Sequence, residues 1–264
     1  MPELPSFSIV TPCLNAASTL PGALESVRAQ GYPRVEHVVV DGGSVDGTRE
    51  LLEGIEGVRY VSEPDRGLSD AMNKGIRMAT GEVIGWLNAD DAYEPGALHA
   101  VGRALAARPD AIWATGRCRI VDRRGVEMRR LVSLYKNFFL RRWSFPLYLT
   151  HNFVSSPATF VRRAALEEVG LLSESYRYSM DYDLWLRLAR RQAPLVLDRD
   201  LAVFRMEEGS LSMTGFERQF IEHAENALVH GGGHPLPVAV NAALSRLIVI
   251  AYRGMRLARR LRAG

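Results

Sequence analysis

The sequence predicts an α/β protein built around a parallel sheet that helices cover on both faces. Two observations lead to this fold class. Through the first 107 residues, short apolar runs alternate with stretches in which apolar residues recur at helical spacing, and this alternation is typical of successive βαβ units. The chain also has 264 residues, of which 47% are hydrophobic and 24% are charged, so that it can form an ordinary globular core.

The elements of the first part follow from these runs in order. Apolar runs rich in β-branched residues predict strands over 7–11, 35–40, 58–61 and 83–87. Apolar residues at helical spacing predict helices over 17–30, 48–55, 69–79 and 95–107. Each predicted strand is followed by a predicted helix, and connections of this kind place neighbouring strands parallel to one another.

The second part of the chain is less regular. Strands are expected over 112–121 and 153–161, and an amphipathic helix over 181–191. The segment 123–148 mixes arginine with aromatic residues, and we expect it to be long, irregular and partly mobile. Glycines and prolines over 231–237 break the chain before a terminal helix over 238–262. These patterns predict one domain over 1–215 and a helical C-terminal extension over 216–264.

Composition excludes several classes of protein. Cys13 and Cys118 are the only cysteines, too few for a disulfide-bonded framework or a zinc cluster, and we expect a cytoplasmic protein. We expect no signal peptide, and no uninterrupted apolar run reaches the roughly 18 residues of a membrane span. The net charge of +3 is small, and we expect no nucleic-acid partner. The glycine-rich fingerprints of dinucleotide-binding and P-loop proteins are absent from the sequence.

The strongest site signal is the run LNADD at Leu87–Asp91, directly after the fourth predicted strand. In open parallel sheets, ligands bind beyond the carboxyl ends of the strands. The adjacent carboxylates of Asp90 and Asp91 repel each other unless a cation or hydrogen-bond donors lie nearby. Oxygen ligands of this kind suit Mg²⁺ or Mn²⁺, which also bind substrate phosphates. The alternative is that Asp90 or Asp91 caps the helix that starts near Pro95.

Two further polar loops follow the second and third predicted strands. Asp41 closes the second strand within VVVDGGSVDGT, where it is placed to accept hydrogen bonds from a base or a ribose. Asp65 and Arg66 precede the next helix, so that a phosphate-bearing ligand would meet Arg66 and the helix N-terminus. Asp70 and Lys74 lie four residues apart on one face of that helix, and an intrahelical ion pair is the alternative for them. Because parallel strands end at one edge of the sheet, we expect these loops to lie together.

The segments TPCLN, VVVDGGSVDGT, SEPDRGLSDAMNKG and LNADD, in this order and at this spacing, resemble the family 2 glycosyltransferases that have the GT-A fold. The resemblance extends over residues 7–210 and is specific over 7–91. It implies a Rossmann-like, mostly parallel central sheet flanked by helices, a nucleotide-sugar donor, a divalent metal ion and transfer with inversion.

The resemblance also implies roles for individual residues. Thr11 and Pro12 match the first strand of the family, which lines the nucleotide, and Asp41 matches the aspartate that recognises the base. Three further positions are associated with the donor nucleotide in the family: Asp65, Asp70 and Lys74. The run NADD occupies the metal site of the DxD type, which makes Asp90 a metal ligand and Asp91 a contact to the donor sugar or to the metal.

The second half of the resemblance implies a catalytic base. The segment SMDYDLWLRLARR resembles the part of the family that carries its catalytic aspartate, which places Asp181 in that role and Met180 where a glutamate is usual. A positioned base that takes the proton of the acceptor hydroxyl contributes about 10²- to 10⁴-fold to the rate. The alternative is that Asp181 or Asp183 caps the helix, and we expect Asp183 to be structural.

Two other segments resemble parts of the family that surround the substrates. SSPATFVRR resembles a segment near the acceptor, in which Arg162 and Arg163 are either ligands or solvated residues at a helix start. FRMEEGSLS resembles a loop with a histidine near the donor diphosphate, and Glu207 stands at that place. Since a carboxylate repels a diphosphate, Arg205 becomes the candidate for binding the phosphates.

The terminal helix predicted over 238–262 has arginines on one side and apolar residues on the other. A helix of this kind lies on an anionic membrane surface, or it docks its apolar face on the catalytic domain or on a second subunit. The sequence therefore leaves open a peripheral membrane contact through 238–262 and a homodimer.

Together these features predict an inverting, metal-dependent glycosyltransferase whose donor is a nucleotide sugar, and a UDP-sugar is expected because the family most often uses one. The expected acceptor is a saccharide or a lipid-linked acceptor in the synthesis of cell-surface polysaccharide or glycolipid. The expected location is the cytoplasm or the inner face of the membrane. One alternative is a sugar-phosphate nucleotidyltransferase, whose glycine-rich basic loop after the first strand is missing here. The other is a non-catalytic protein that binds nucleotide sugars.

Overall fold

The computed structural model describes residues 3–206 and 215–263. The described residues form one eight-stranded sheet with the strand order β3-β2-β1-β4-β7-β6-β8-β5. The strands are β1 (Phe7–Cys13), β2 (Val35–Asp41), β3 (Val58–Ser62), β4 (Val83–Trp86), β5 (Ala92–Tyr93), β6 (Trp113–Val121), β7 (Thr159–Arg162) and β8 (Leu195–Arg205).

Helices connect these strands and follow the last of them. The helices of the described residues are α1 (Leu20–Arg28), α2 (Thr48–Glu53), α3 (Leu68–Met78), α4 (Ala97–Ala107), α5 (Arg130–Leu140), α6 (Phe145–Thr150), α7 (Arg163–Val169), α8 (Met180–Arg191), α9 (Phe216–His230) and α10 (Pro235–Ala263). A short 3₁₀ turn at Ser156–Ala158 precedes β7.

The prediction of parallel strands is correct for the first half of the chain. β1 pairs in parallel with β2 and β4, and β2 pairs in parallel with β3. The second half is mixed, because β7 runs antiparallel to both β4 and β6, whereas β6 is parallel to β8 and β5 is antiparallel to β8. The regular βαβ alternation ends with α4, so the rule that makes strands parallel no longer applies to the later connections.

Burial along the strands follows from their place in the sheet. Every residue of β1 and β4 is buried, because each of these strands lies between two others and has both faces covered. The edge strand β3 instead exposes Arg59 and Tyr60. Helix α3 lies directly on β1 because Gly75 has no side chain: a Cβ there would lie 2.3 Å from Val10 Cγ1. This close contact fixes α3 beside the carboxyl edge of the parallel strands.

Two expectations for the second half are wrong. The segment 123–148 is not irregular, since α5 and α6 occupy much of it; arginines at both ends of α5 obscured the helical spacing of its apolar residues. The strand expected over 153–161 is reduced to β7, because Pro157 lies in the 3₁₀ turn that precedes it. Nothing in the sequence pattern predicts β5 or β8, whereas α7 begins at Arg163, where a helix start was one of two alternatives.

The C-terminal helices pack on the domain as an antiparallel pair. α9 contacts α8 and α10, and α10 also contacts α6. The side of α10 that faces the domain includes polar residues: Asn241 and Ser245 are buried, and the Asn241 amide donates to the Leu149 carbonyl at 2.8 Å. Leu247 and Ile250 are 66% and 69% exposed. Of the two alternatives for this helix, docking of the apolar face on the catalytic domain does not agree with this exposure in the part of α10 whose side chains are described.

The stretch Pro235–Gly254 of α10 is long and apolar enough to cross a membrane, by length and composition alone. A search for uninterrupted apolar runs misses it because Asn241, Ser245 and Arg246 interrupt the run. Two of these three polar side chains face the domain, so the remaining helix surface is more apolar than the sequence order suggests.

Candidate active site

Asp41 is the last residue of β2, as predicted, and its carboxylate is completely buried. The backbone N–H of Ser44 donates to it at 3.1 Å and the hydroxyl of Ser62 donates at 2.6 Å, while the Ser44 hydroxyl donates a further bond. These bonds use donors from the loop after β2 and from the end of β3. The carboxylate is therefore rigidly placed where the first three strands end.

Gly42 brings the backbone after β2 into contact with the loop after β3. A Cβ at this position would lie 2.3 Å from Asp65 Oδ2 and 3.5 Å from Leu14 Cδ1, so only glycine fits without displacing a neighbour. The other carboxylate oxygen of Asp65 accepts the N–H of Gly67 at 2.7 Å. Leu14 is 59% exposed, and it lies beside Asp65 although no sequence motif singled it out. Asp41, Asp65 and Leu14 thus surround one edge of the sheet.

An ion-pair network follows β3 on α3. Asp70 is buried and accepts bonds from the backbone N–H of Arg66 at 3.0 Å and from its guanidinium at 3.1 Å. The Arg66 side chain lowers the pKa of Asp70 to about 2. Lys74 lies 2.8 Å from Glu63 and 3.7 Å from Asp70, so its closer partner is Glu63 rather than the intrahelical residue. Arg66 also pairs with Glu174 at 2.9 Å, which ties this loop to the second half of the chain.

Thr11 and Pro12 are buried in β1. The Thr11 hydroxyl lies 2.8 Å from Nε2 of His37, and burial lowers the pKa of His37 to about 4. The threonine side chain is therefore engaged within the sheet.

Asp91 is 1% exposed and links the ends of two strands. One carboxylate oxygen accepts the backbone N–H of Arg205, the last residue of β8, at 3.0 Å. The other accepts the side-chain amide of Asn88 at 2.9 Å. Burial, and then the charge of Asp90, raise the pKa of Asp91 well above its ordinary value. Asp90 is only partly buried and is the more accessible carboxylate of the pair.

Neither aspartate caps the next helix. The N-cap of α4 is Gly96, in the left-handed conformation, and no side chain caps it. The capping alternative for Asp90 and Asp91 is therefore wrong.

The residues around Asp90 fit a divalent cation that takes part of its coordination from a substrate. Within residues 3–206 and 215–263, no group of three or more His, Cys, Asp and Glu side chains is arranged to hold a metal ion. Magnesium sites that bind nucleotide phosphates commonly use only one or two carboxylates, which Asp90 and Asp91 supply. Arg205 adds a positive charge beside them, and its Nε is buried without a hydrogen-bond partner among the described residues.

Asp181 is the second residue of α8. Its Oδ2 accepts the hydroxyl of Ser156 at 2.5 Å, and its Oδ1 accepts the backbone N–H of Tyr182 at 2.7 Å. Burial raises the pKa of Asp181, and Lys136 is among the groups that oppose this rise. The carboxylate is held by one hydroxyl and one amide and has no direct salt bridge among the described residues.

The 3₁₀ turn that carries Ser156 connects the two halves of the site. It contacts β4, β5, β6 and β8, and Asp90 and Asp91 lie between β4 and β5. Lys136 of α5 lies 3.3 Å from Ser155 at the start of this turn. The pKa of Cys118, raised to about 12 chiefly by burial, is raised further by Asp91 and lowered by Lys136. Lys136 therefore lies beside the 3₁₀ turn and acts on the pKa of Asp181, and no sequence motif pointed to it.

A second unpredicted residue, Glu222 of α9, fixes the start of α8. It is 1% exposed and accepts the backbone N–H groups of Tyr178 at 2.8 Å and Ser179 at 3.0 Å. Arg218 pairs with it at 3.2 Å. A carboxylate at a helix N-terminus is favourable because of the unpaired amides and the helix dipole. The C-terminal extension thus supports the helix that carries Asp181.

The remaining polar residues of the second half have structural contacts. Asp183 accepts bonds from Arg187 at 2.8 Å and lies 2.8 Å from His230, in agreement with the structural role expected for it. Arg162 donates to the carbonyl of Ala111 at 2.8 Å and Arg163 to that of Gly81 at 3.1 Å. Both arginines therefore bind the backbone of neighbouring elements instead of being free in solvent. Glu207 lies outside the described residues.

A family model described as "Glycosyl transferase family 2" matches residues 8–170, which is more than half of the chain. The chain belongs to glycosyltransferase family 2. A PGL/p-HBAD biosynthesis glycosyltransferase of Mycobacterium bovis is 29% identical over 257 residues, which cover 94% of this chain and 91% of that relative. An uncharacterized glycosyltransferase of Rickettsia felis is 28% identical over 225 residues, and the chain spans 37% of the length of that relative.

Solved structures share the fold. S. aureus TarS 1–349 in complex with UDP-GlcNAc has a TM-score of 0.65 and 19% identity, and the match covers 92% of this chain and 70% of that one. The mannosyltransferase PcManGT from Pyrobaculum calidifontis, in complex with GDP-Man and Mn²⁺, has a TM-score of 0.65 and 21% identity over 99% of this chain and 76% of that one. The mixed sheet flanked by helices, with a C-terminal helix, is the GT-A fold, as predicted. Membership of family 2 also argues against the nucleotidyltransferase alternative.

Proposed function

We propose that this family 2 protein is an inverting, metal-dependent glycosyltransferase that moves a sugar from a UDP-sugar to a saccharide or lipid-linked acceptor. The observation that carries the proposal is the placement of two carboxylate groups around one 3₁₀ turn. Asp90 and Asp91 follow β4, and Asp181 binds Ser156 of the turn that contacts β4 and β5. One group would serve the donor and the other the acceptor.

The donor half would bind the nucleotide along the ends of β1, β2 and β3. Asp41 is proposed to recognise the base, and Thr11 and Pro12 to line the nucleotide through the backbone of β1, since their side chains are buried. Asp65 lies beside Gly42, where the backbone permits a close approach. The network of Arg66, Asp70 and Lys74 would hold the loop after β3 in place beside the donor nucleotide. Complexes of TarS with UDP and with UDP-GlcNAc support a UDP-sugar.

Asp90 would hold Mn²⁺ or Mg²⁺, with Asp91 either as a second ligand or as the group that positions Asp90. When bound, the cation would neutralise charge on the departing diphosphate. The Mn²⁺ complex of PcManGT supports this assignment. Arg205 is the proposed second positive group, because its buried Nε has no hydrogen-bond partner among the described residues.

Asp181 would act as the general base. Its carboxylate takes the proton of the acceptor hydroxyl while that oxygen forms a bond to the anomeric carbon, and the bond from this carbon to the nucleoside diphosphate breaks. A single displacement of this kind inverts the anomeric configuration. Because burial raises the pKa of Asp181, its carboxylate is a stronger base than an exposed aspartate.

The donor site is tested by isothermal titration of UDP, GDP and dTDP, each with and without Mn²⁺, on the wild-type protein and on Asp90→Ala. We expect one nucleotide, UDP, to bind in a metal-dependent manner and this dependence to disappear in Asp90→Ala. Asp110→Ala is the matched control, because Asp110 lies at the surface in a pair with Arg108. No binding of any of the three nucleotides to the wild-type protein would overturn the proposal.

A further inference from the structure

Helix α10 presents five large apolar side chains to the solvent, whereas the side that faces the protein mixes polar and apolar residues. Asn241 and Ser245 are buried against the domain. The exposed large apolar side chains are Leu236, Val240, Leu244, Leu247 and Ile250. An ordinary surface helix packs its apolar side on the core, whereas these five side chains of α10 are left exposed.

Contacts along its length hold α10 flat on the domain. Near its start, Val238 packs against Gly231, where a Cβ would lie 2.0 Å from Val238 Cγ2. Farther along, the ring of Tyr252 lies 4.6 Å from that of Phe216, and Arg253 donates to Glu217 at 2.9 Å. A helix attached in this way at both ends lies along the surface of the protein, so that its apolar side faces outward over this length.

Helix α5 has a second exposed apolar stripe. Leu131, Leu134, Tyr135 and Phe138 are spaced as one helical face, and they are between 48% and 82% exposed. On its other side, Phe139 packs against His151, with the ring centroids 4.6 Å apart. The segment of His151 directly follows α6, which is also the helix that α10 contacts. α5 and α10 are therefore joined through α6 and the residues that follow it.

The charge of the two segments has one sign. Residues 128–150, which include α5 and α6, contain five lysines and arginines and no aspartate or glutamate. Residues 226–264, which include α10, contain six arginines and again no acidic residue. A second copy of the chain would bring like charges together on such a surface, whereas an anionic lipid surface is complementary to it.

We propose that α5 and α10 together form a surface that docks on an anionic lipid bilayer, with the apolar side chains of both helices entering the interface. Helix α10 lies in the interface and does not cross the bilayer, because its polar side is bound to α6 and to the domain. The proposal depends on two helices that are about one hundred residues apart in sequence and that share a neighbour in the structure. It is independent of the donor and the acceptor.

The test is flotation of the full-length protein with lipid vesicles. Vesicles of phosphatidylcholine alone are compared with vesicles in which about one third of the lipid is phosphatidylglycerol. The variants are Leu134→Ser/Phe138→Ser in α5 and Leu247→Ser/Ile250→Ser in α10. Tyr60→Ser is the matched control, because Tyr60 is an exposed aromatic residue on the edge strand β3. Circular dichroism and nucleotide titration of each variant establish that it is folded.

We expect the wild-type protein to bind only the anionic vesicles and salt to weaken this binding. Each double variant should bind at least about tenfold more weakly, whereas Tyr60→Ser should bind as the wild type does. Absence of binding to anionic vesicles would overturn the proposal. An α5 variant that binds as the wild type does would also overturn it, because the surface would then be α10 alone. Protein that stays with the vesicles in alkaline carbonate would overturn it too, because this result indicates a membrane span. The same holds if the double variants change a dimer into a monomer while vesicle binding is unchanged. If every variant still binds nucleotide, loss of vesicle binding concerns only the lipid surface and leaves the proposed glycosyltransferase function untouched.

Discussion

Asp181 combines a partly buried carboxylate with few hydrogen-bond donors, and this arrangement is unfavourable for stability. Burial disfavours the charged form, so the pKa of the folded state lies above that of the unfolded chain. The folded protein consequently binds this proton more tightly, and the contribution of Asp181 to stability falls as the pH rises through the raised pKa. A carboxylate that costs stability at neutral pH is more readily explained by a chemical role than by a structural one.

Asp181→Asn is expected to lower turnover by about 10²- to 10⁴-fold, because the amide cannot accept the proton. The free energy of unfolding at neutral pH is expected to be unchanged or higher, because a buried charge is removed. Acceptor-dependent release of UDP and denaturant unfolding measure the two effects, and UDP titration checks the donor site. A non-catalytic protein would bind UDP and show the same rate of UDP release in both forms.

Lys136 is expected to set the pH range in which Asp181 is active. Its positive charge lowers the pKa of Asp181, so Lys136→Met should raise that pKa and move the acidic limb of the pH–rate profile to higher pH. Lys136→Arg keeps the charge and should restore much of the original profile. A uniform loss of rate at every pH, without movement of the limb, would indicate that Lys136 has only a packing role.

At the scale of secondary structure, the elements predicted well are those whose pattern is local. The strands that became β1, β2, β3 and β4 were found within two residues at each end, because buried parallel strands are continuous apolar runs. Helix α5 was not found, since its apolar stripe faces solvent and arginines flank it. Its place in the proposed surface depends on the link to α10 through His151 and α6, which is not visible in the local pattern.

Glu222 of α9 is expected to position the catalytic helix. Glu222→Ala leaves the amides of Tyr178 and Ser179 without this buried acceptor, which costs about 1–3 kcal/mol for each unsatisfied group. We expect lower stability and roughly tenfold slower turnover, with UDP affinity unchanged because the donor half is not touched. Glu222→Gln retains one acceptor oxygen and should recover part of the turnover. Loss of UDP affinity in step with turnover would argue for general unfolding instead.

At the scale of the whole molecule, Asn73 connects the two halves of the chain. It is 2% exposed on α3, and its side chain donates to the Leu172 carbonyl at 2.9 Å and accepts the Leu172 N–H at 3.0 Å. Asn73→Ala should lower the free energy of unfolding by about 1–3 kcal/mol for each Leu172 group left unpaired. Arg108→Ala removes only an exposed ion pair with Asp110 and should change the free energy of unfolding by less than about 1 kcal/mol. Equal effects of the two substitutions in denaturant unfolding would contradict this account.

The sequence predicts the proposed donor half of the site more fully than the proposed acceptor half. Asp41 ends β2 and Asp90 closely follows β4, so topology alone brings them to one edge of the sheet. Lys136 and Glu222 act through contacts between distant residues, and Glu222 lies 43 positions from Ser179. Only the folded chain shows that Lys136 lies near Asp181 and that Glu222 binds the start of the helix that carries it.

Helix α5 separates the proposed base from the proposed lipid surface by its own thickness. Lys136 faces the 3₁₀ turn beside Asp181, while Leu134 and Phe138 are exposed on the same helix. A helix with its side chains is about 10–12 Å across, which is close to the length of one or two sugar units. The thickness of α5 would then limit which acceptors can react. An acceptor hydroxyl directly at the headgroup would reach the base, whereas the end of a long glycan would extend past it. The enzyme would then select acceptors by the number of sugar units between the lipid and the acceptor hydroxyl.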